Sequence, residues 1–216
     1  MFDAENFERA LDDLRRGHMI LVVDDADREN EGDLVAAAEL VTGEQINFMA
    51  REAGGLICVA VDRSIAEAKE LAPMVQRNED HLGTAFTVSV DAAPHFGVTT
   101  GISAFDRAET IRVILDENLA PDTLRRPGHI FPLVARPAGV LARRGHTEAS
   151  TDLCALAGLR KAAVIVEIIA DDGHMARDAE LAEFARVHSL TTVTVEDVVQ
   201  ARLARVTDEL ELAVAE

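Results

Sequence analysis

Hydrophobic residues follow two different spacings that alternate along most of the chain. Ala4, Phe7, Leu11 and Leu14 repeat every three or four positions, which predicts an amphipathic helix over 3–16. The apolar stretch that follows is short and rich in β-branched residues, as in a buried strand. The chain therefore opens with a helix followed by a strand.

The same two patterns predict the remaining elements. Strands are predicted at 19–24, 34–38, 56–61, 86–90, 163–170 and 190–194, and helices at 42–53, from Ser64 toward Pro73, and at 103–118, 147–157, 178–188 and 196–206. The Pro- and Arg-rich residues 121–132 are expected to form a loop, with strand-like residues following to Ala135. No internal repeat or low-complexity linker interrupts this order. We expect one α+β domain over 1–216, with three α/β/α layers around a mixed sheet.

The charge and composition of the chain argue against several classes of binding partner and location. The 216 residues carry a net charge of −18, which disfavours binding to nucleic acid backbones and to anionic membranes. Cys58 and Cys154 lie in apolar surroundings and are predicted to be reduced, buried thiols of a cytoplasmic protein. The N-terminus lacks the features of a signal peptide, and no apolar run is long enough to span a membrane.

The acidic segment 24–33, Asp-Asp-Ala-Asp-Arg-Glu-Asn-Glu-Gly-Asp, lies between two predicted buried strands. Carboxylates held this close together repel one another unless a cation is bound or some of them are protonated. The segment therefore indicates either a divalent cation site, an acid–base site or a solvated acidic turn. A calcium-binding EF-hand loop is excluded, because no register supplies both the required glycine and the terminal glutamate.

Glu167 is the most informative single residue, because it interrupts the apolar run 163–170. A buried carboxylate costs several kcal/mol unless it is paired or neutral, so such a position suits a general acid or base. The alternative is an edge strand on which Glu167 faces water.

Basic residues cluster before the predicted helix 147–157. Arg143 and Arg144 precede Gly145 and His146, and a helix start with a nearby arginine is suited to a phosphate ester. The alternative is an ordinary surface loop. His146 becomes a candidate metal ligand only in combination with the acidic segment. His129, in a segment bounded by prolines, is either a fixed catalytic imidazole or a packed loop residue.

Several of these segments, in the same order and spacing over nearly the whole chain, resemble the 3,4-dihydroxy-2-butanone 4-phosphate synthase family of riboflavin biosynthesis. The matching segments are 24–33, Thr99-Thr100-Gly101-Ile102-Ser103, Arg126-Pro127-Gly128-His129-Ile130-Phe131-Pro132-Leu133, Gly145-His146-Thr147-Glu148-Ala149 with Asp152-Leu153, Glu167, and Asp171-Asp172-Gly173 with Met175-Ala176-Arg177.

The resemblance implies a homodimeric lyase, with sites near the subunit interface, that converts D-ribulose 5-phosphate to 3,4-dihydroxy-2-butanone 4-phosphate and formate. It implies that Glu29 and His146 hold Mg²⁺ or Mn²⁺, with one or two ions per site, and that His129 and Glu167 are catalytic. The substrate contacts that it implies are Arg28, Glu29, Asp33, Arg143, Arg144, Gly145, His146, Thr147 and Glu167.

One residue departs from the family pattern, since Arg144 stands where a second glycine is common. The chain also ends without the zinc-spaced cysteines of a fused cyclohydrolase, so a single reaction is expected. Two other functions stay open: a non-catalytic module that binds a phosphorylated ligand or a metal, and a metal-dependent phosphatase that would release phosphate instead of formate.

Overall fold

The structure, a computed structural model, describes residues 2–215, with side chains described as far as Thr207. Seven helices lie in this range: α1 (Ala4–Arg15), α2 (Gly43–Phe48), α3 (Arg63–Ala68), α4 (Ala104–Leu115), α5 (His146–Leu156), α6 (Asp178–His188) and α7 (Val195–Ala215). Seven strands accompany them: β1 (Ile20–Val23), β2 (Gly32–Ala37), β3 (Cys58–Val61), β4 (Val90–Ala92), β5 (Leu124–Val134), β6 (Ala162–Glu167) and β7 (Thr192–Thr194).

The seven strands form one mixed sheet in the order β4-β5-β3-β6-β2-β1-β7. The pairs β1–β7 and β3–β5 are parallel, and the others are antiparallel. The predicted mixed sheet is therefore confirmed.

Successive strand residues point to opposite sides of the sheet, so both faces carry apolar side chains. Helices cover both of these faces. Val59 and Val164 pack in one core with residues of α2, α4 and α6. Ala60 and Ile165 pack in a second core with residues of α1, α5 and α7. The two cores confirm the predicted three-layer α/β/α arrangement. The central strands are buried on both faces, which explains why their sequences are continuously apolar.

Two predicted helix starts are confirmed by their capping contacts. The Ser103 hydroxyl accepts a hydrogen bond from the Asp106 N–H, and the Thr42 hydroxyl accepts one from the Gln45 N–H. The helix that begins after Thr42 ends before Gly54, as predicted, although Met49–Ala53 form a π-helical turn. Asp178, which was expected to cap α6, is its first helical residue, and Arg177 occupies the capping position.

Two strand predictions are wrong. The predicted strand 86–90 makes only isolated bridges at Phe86 and Thr87, and the strand begins at Val90. The expected loop 121–132 belongs largely to β5, which is 11 residues long. Pro127 is tolerated in this strand because the register with β4 shifts between Val90 and Asp91, and Pro127 lies in that irregular part.

Two further expectations concern the cysteines and the membrane. Cys58 and Cys154 are buried and unpaired, as predicted, and burial raises the pKa of both thiols. Over the described part of the chain, the helices lack the combination of length and apolar sequence needed to cross a bilayer.

Candidate active site

The candidate site lies at one end of the sheet, where β1 ends, β2 begins and β6 ends. Asp33 is the second residue of β2 and pairs directly with Glu167, the last residue of β6. The first turn of α5 brings His146 to Asp33 and to Glu29 in the acidic loop. Residues that are more than 100 positions apart in sequence are therefore neighbours here.

Asp24 organises the acidic loop. Its buried carboxylate accepts hydrogen bonds from the backbone N–H groups of Glu29 and Glu31, at 3.3 and 2.9 Å. The same carboxylate lies 2.7 Å from the Arg28 guanidinium, which also contacts the Glu29 carboxylate. The loop is thus held at both ends by its own charges, while Asp25, Ala26 and Asp27 in its middle are exposed.

Arg177 closes the loop from the outside. Its guanidinium donates hydrogen bonds to the backbone carbonyls of Glu29 and Asn30 and lies 3.4 Å from the Glu31 carboxylate. Asn30 has a φ of 54°, a left-handed conformation in which its carbonyl is turned toward this arginine. Arg177 therefore fixes the backbone of the segment that presents Glu29.

Carboxylates surround the His146 imidazole. Its Nδ1 lies 3.6 Å from a carboxylate oxygen of Glu29 and 3.6 Å from one of Asp33. Burial alone would lower the pKa of His146, but the charges on Asp33 and Glu29 outweigh it and raise the pKa to about 9. Burial raises the pKa of Asp33 to about 7, although the His146 charge opposes that change. The hydrogen bond with His146 lowers the pKa of Glu29.

The donor set in this cluster suits a divalent cation. Ligand atoms of Asp24, Glu29 and His146 all lie within 4.8 Å of one another. Within the described residues, the buried atoms Oδ1 of Asp33 and Nε2 of His146 have no hydrogen-bond partner. Carboxylate oxygens and an imidazole are typical ligands of divalent metals, and buried polar atoms normally have partners.

A basic region borders the cluster at the start of α5. A Cβ atom at Gly145 would collide with the guanidinium of Arg143 and would approach that of Arg28 to 2.9 Å, so both cations lie against this glycine. Gly145 occupies the capping position without any side-chain cap for the helix. An uncapped helix start and two arginines together form an arrangement that suits an anion.

Arg143 and Arg144 point in different directions. The Arg143 guanidinium lies 2.7 Å from the buried Glu148 carboxylate and donates to the Leu82 carbonyl and the Thr84 hydroxyl. Arg144 is turned away to Glu196 on α7, at 2.6 Å. The substrate contact predicted for Arg144 is untested and stays a prediction.

Glu167 is the last residue of β6 and is half-buried. Its exposure therefore lies between the two alternatives, a buried carboxylate and a water-facing one. Its Oε2 accepts a hydrogen bond from the Leu56 N–H at 2.9 Å. A side chain at Gly55 would collide with the Glu167 backbone, which explains why a glycine is needed beside this carboxylate.

His129 lies at the same end of the sheet as Glu167. Cys58 in β3 pairs with Phe131 on one side and with Ile165 on the other. His129 precedes Phe131 by two residues, and Leu56, whose N–H donates to Glu167, precedes Cys58 by two residues. Asp91 binds the imidazole of His129 at 2.7 Å.

The structure brings most of the predicted site residues together, and it adds three that the sequence argument did not single out. Arg28, Glu29, Asp33, Gly145 and His146 are neighbours, as expected, while Thr147 is buried in the first turn of α5. The added residues are Asp24, Arg177 and Asp91. Asp24 could have been found from its position directly after a buried strand, and Arg177 from the matching segment that it ends, but no local pattern marks Asp91.

The fold and the site together define an α/β protein with a carboxylate–histidine cluster suited to a divalent cation, next to an arginine-lined helix start. The family model for 3,4-dihydroxy-2-butanone 4-phosphate synthase matches residues 8–201. The chain belongs to the 3,4-dihydroxy-2-butanone 4-phosphate synthase family.

Individual relatives agree with this assignment. The chain is 50% identical to the 3,4-dihydroxy-2-butanone 4-phosphate synthase of Agrobacterium fabrum over 94% of each protein. It is 54% identical to the riboflavin biosynthesis protein RibBA of Aquifex aeolicus, covering 95% of this chain but only 51% of that protein. The chain thus spans about half the length of the RibBA relatives that it matches.

A solved structure extends the agreement to three dimensions. A 3,4-dihydroxy-2-butanone 4-phosphate synthase in complex with two magnesium ions superimposes with a TM-score of 0.87 at 45% identity, over 93% of this chain and 96% of that one. The resemblance inferred from the sequence motifs is therefore confirmed at the level of family and fold.

We expect Arg177→Gln to loosen the acidic loop, because the backbone carbonyls of Glu29 and Asn30 would lose their charged donor. A hydrogen bond to a charged group contributes about 1.5–3 kcal/mol, so amide hydrogen exchange over residues 27–31 should accelerate by about tenfold or more. Arg186→Gln is the control, because Arg186 lies on the same helix and bonds to the exposed Glu183. Equal exchange in both variants would contradict the role given to Arg177.

Proposed function

We propose that the chain converts D-ribulose 5-phosphate to 3,4-dihydroxy-2-butanone 4-phosphate and formate. The observation that carries the proposal is the cluster of Glu29, Asp33 and His146 beside the two arginines at Gly145. It combines a cation site with an anion site, as a phosphorylated sugar requires. The similarity to whole-length synthases supports the same reaction.

We infer that Glu29 and His146 would hold Mg²⁺, or Mn²⁺ in its place. The neighbouring structure with two magnesium ions supports one or two ions per site. When bound, the cation would supply Lewis-acid polarisation of the substrate carbonyl and hydroxyl groups. Asp33 and Asp24 add negative charge around the same space, which favours a cation over a neutral ligand.

Phosphate binding and proton transfer would be carried out by side chains of this chain. Arg143 and Thr147 at the start of α5 would bind the phosphate, a group that does not react, and Arg28 of the acidic loop lies beside them at Gly145. Glu167 and His129 would transfer protons as the C3 proton is removed, water leaves C1 and C4 is lost as formate. Water leaves in one step and enters in another, so the overall reaction neither consumes nor yields water. The homodimer and the cytoplasmic location are further predictions for this chain.

The direct test is to incubate the purified protein with D-ribulose 5-phosphate and Mg²⁺ and to measure formate. We expect formate release that EDTA abolishes and added Mg²⁺ restores. Release of inorganic phosphate without formate would favour a metal-dependent phosphatase. Saturable substrate binding with neither product would favour the non-catalytic module.

We expect Glu167→Gln to lower kcat by about 10²-fold to 10⁴-fold, the usual contribution of a positioned acid or base. Glutamine keeps a side-chain oxygen that can accept the Leu56 N–H but cannot transfer the proton. The urea midpoint should therefore change little. Glu67→Gln, at an exposed carboxylate on α3, is the control. A near-normal kcat with a lowered midpoint would mean that Glu167 is structural.

We expect cation binding to release protons at pH 7. His146 is protonated below its pKa of about 9 and must lose that proton to become a ligand, so affinity should rise with pH toward 9. If one proton is released, the cation affinity can rise by at most about tenfold per pH unit. Calorimetry of Mn²⁺ binding in two buffers of different ionisation enthalpy gives the number of protons released. His146→Ala is the control, and absence of proton release in the wild-type protein would exclude His146 as a ligand.

A further inference from the structure

Asp91 binds His129 through both carboxylate oxygens. Its Oδ1 accepts a hydrogen bond from the His129 backbone N–H at 2.8 Å, and its Oδ2 lies 2.7 Å from the ring Nδ1. The Asp91 side chain is 14% exposed and the His129 side chain is 42% exposed. The carboxylate is thus shielded, while the imidazole that it holds is open to a substrate.

The surrounding backbone confines this carboxylate. Gly101 has a φ of 89°, and a Cβ atom there would collide with the Asp91 carboxylate. The Gly101 N–H is in turn fixed by Asp106, which also accepts hydrogen bonds from the N–H and the hydroxyl of Thr99. The Thr99–Gly101 segment therefore packs directly against Asp91. This segment is one of those that match the family.

A second close approach acts from the strand of His129. A Cβ atom at Gly128 would collide with the backbone of Val90 and Asp91. The Gly128 N–H also donates to the Ser89 hydroxyl at 3.2 Å. These contacts bring β5 close enough to β4 for one aspartate to reach both the backbone and the ring of His129.

We propose that Asp91 is the positioning residue of His129, which fixes its ring orientation and its tautomer for proton transfer. This inference rests on the proposed function, in which His129 moves a proton. An ionised carboxylate only accepts hydrogen bonds, so Nδ1 must carry the ring hydrogen and Nε2 must carry the lone pair. Nε2 is then the atom that takes a proton from the substrate, and Asp91 stabilises the imidazolium that results.

Asp91→Asn tests the tautomer directly. The backbone N–H of His129 can only donate, so the amide oxygen of the asparagine must face it. The amide NH₂ group is then left facing Nδ1, which favours a lone pair there and the hydrogen on Nε2. We expect ¹⁵N spectra of histidine-labelled protein to show that His129 changes from the Nδ1–H to the Nε2–H tautomer. His129→Gln assigns the signal.

The kinetic consequence should fall on kcat. We expect Asp91→Asn to lower kcat by about 10²-fold to 10⁴-fold, with a much smaller change in KM, because Asp91 does not touch the substrate. Asp91→Glu keeps two acceptor oxygens and should regain the Nδ1–H tautomer together with part of kcat. Ser89→Ala removes a contact to the neighbouring Gly128 but none to the His129 ring. The tautomer of His129 in this variant should therefore match that in the wild-type protein.

Two results would overturn the proposal: an unchanged tautomer in Asp91→Asn, or a changed tautomer with unchanged kcat. The dispersion of the same spectra shows whether each variant is folded. If the wild-type protein released no formate, the proposed function would fail, while the tautomer measurement would still decide whether Asp91 positions His129.

Discussion

The pairing of β2 with β6 is the constraint on which the site depends. The register that buries Val35 against Ile165 also sets the carboxylates of Asp33 and Glu167 opposite each other. Like charges at directly opposed positions destabilise a sheet, yet the register of these two buried strands holds this pair in place. The core therefore enforces the approach of the two acids. His146 beside Asp33 and the Leu56 N–H on Glu167 offset this repulsion, and the proposed cation would offset it further.

Helix α5 carries His146, and its position is set by packing against the sheet. Leu153 and Cys154 on its inner face are fully buried against the sheet, so the position of its first turn is fixed by the core. Glu148 in that turn holds Arg143 and also accepts the backbone N–H of Arg136. The first turn of the helix, where we propose that the phosphate binds, is thus held by contacts to both Arg136 and Arg143.

Sequence periodicity predicted the layers and the central strands well, because strands such as β3 and β6 are buried on both faces and their sequences show it. It failed at β5, where prolines normally argue against a strand; Pro127 lies where the register with β4 shifts, which the sequence does not show. In the site, motif matching led to Glu29 and His146 as predicted metal ligands. Asp91 and Arg177 contact residues 38 and 147 or 148 positions away, so only the fold could reveal these contacts.

The two histidines of the candidate site have different partners. His146 is surrounded by the carboxylates of β2 and the acidic loop, so in the proposed metal site its charge would change when a cation binds. His129 takes its partner from β4, and the Asp91 carboxylate is confined by a separate loop. Loss or gain of the cation therefore need not alter the tautomer of His129. The proposed reaction has several proton transfers and would benefit from this separation, because an imidazole that ligates a metal through its ring lone pair cannot also accept a proton there.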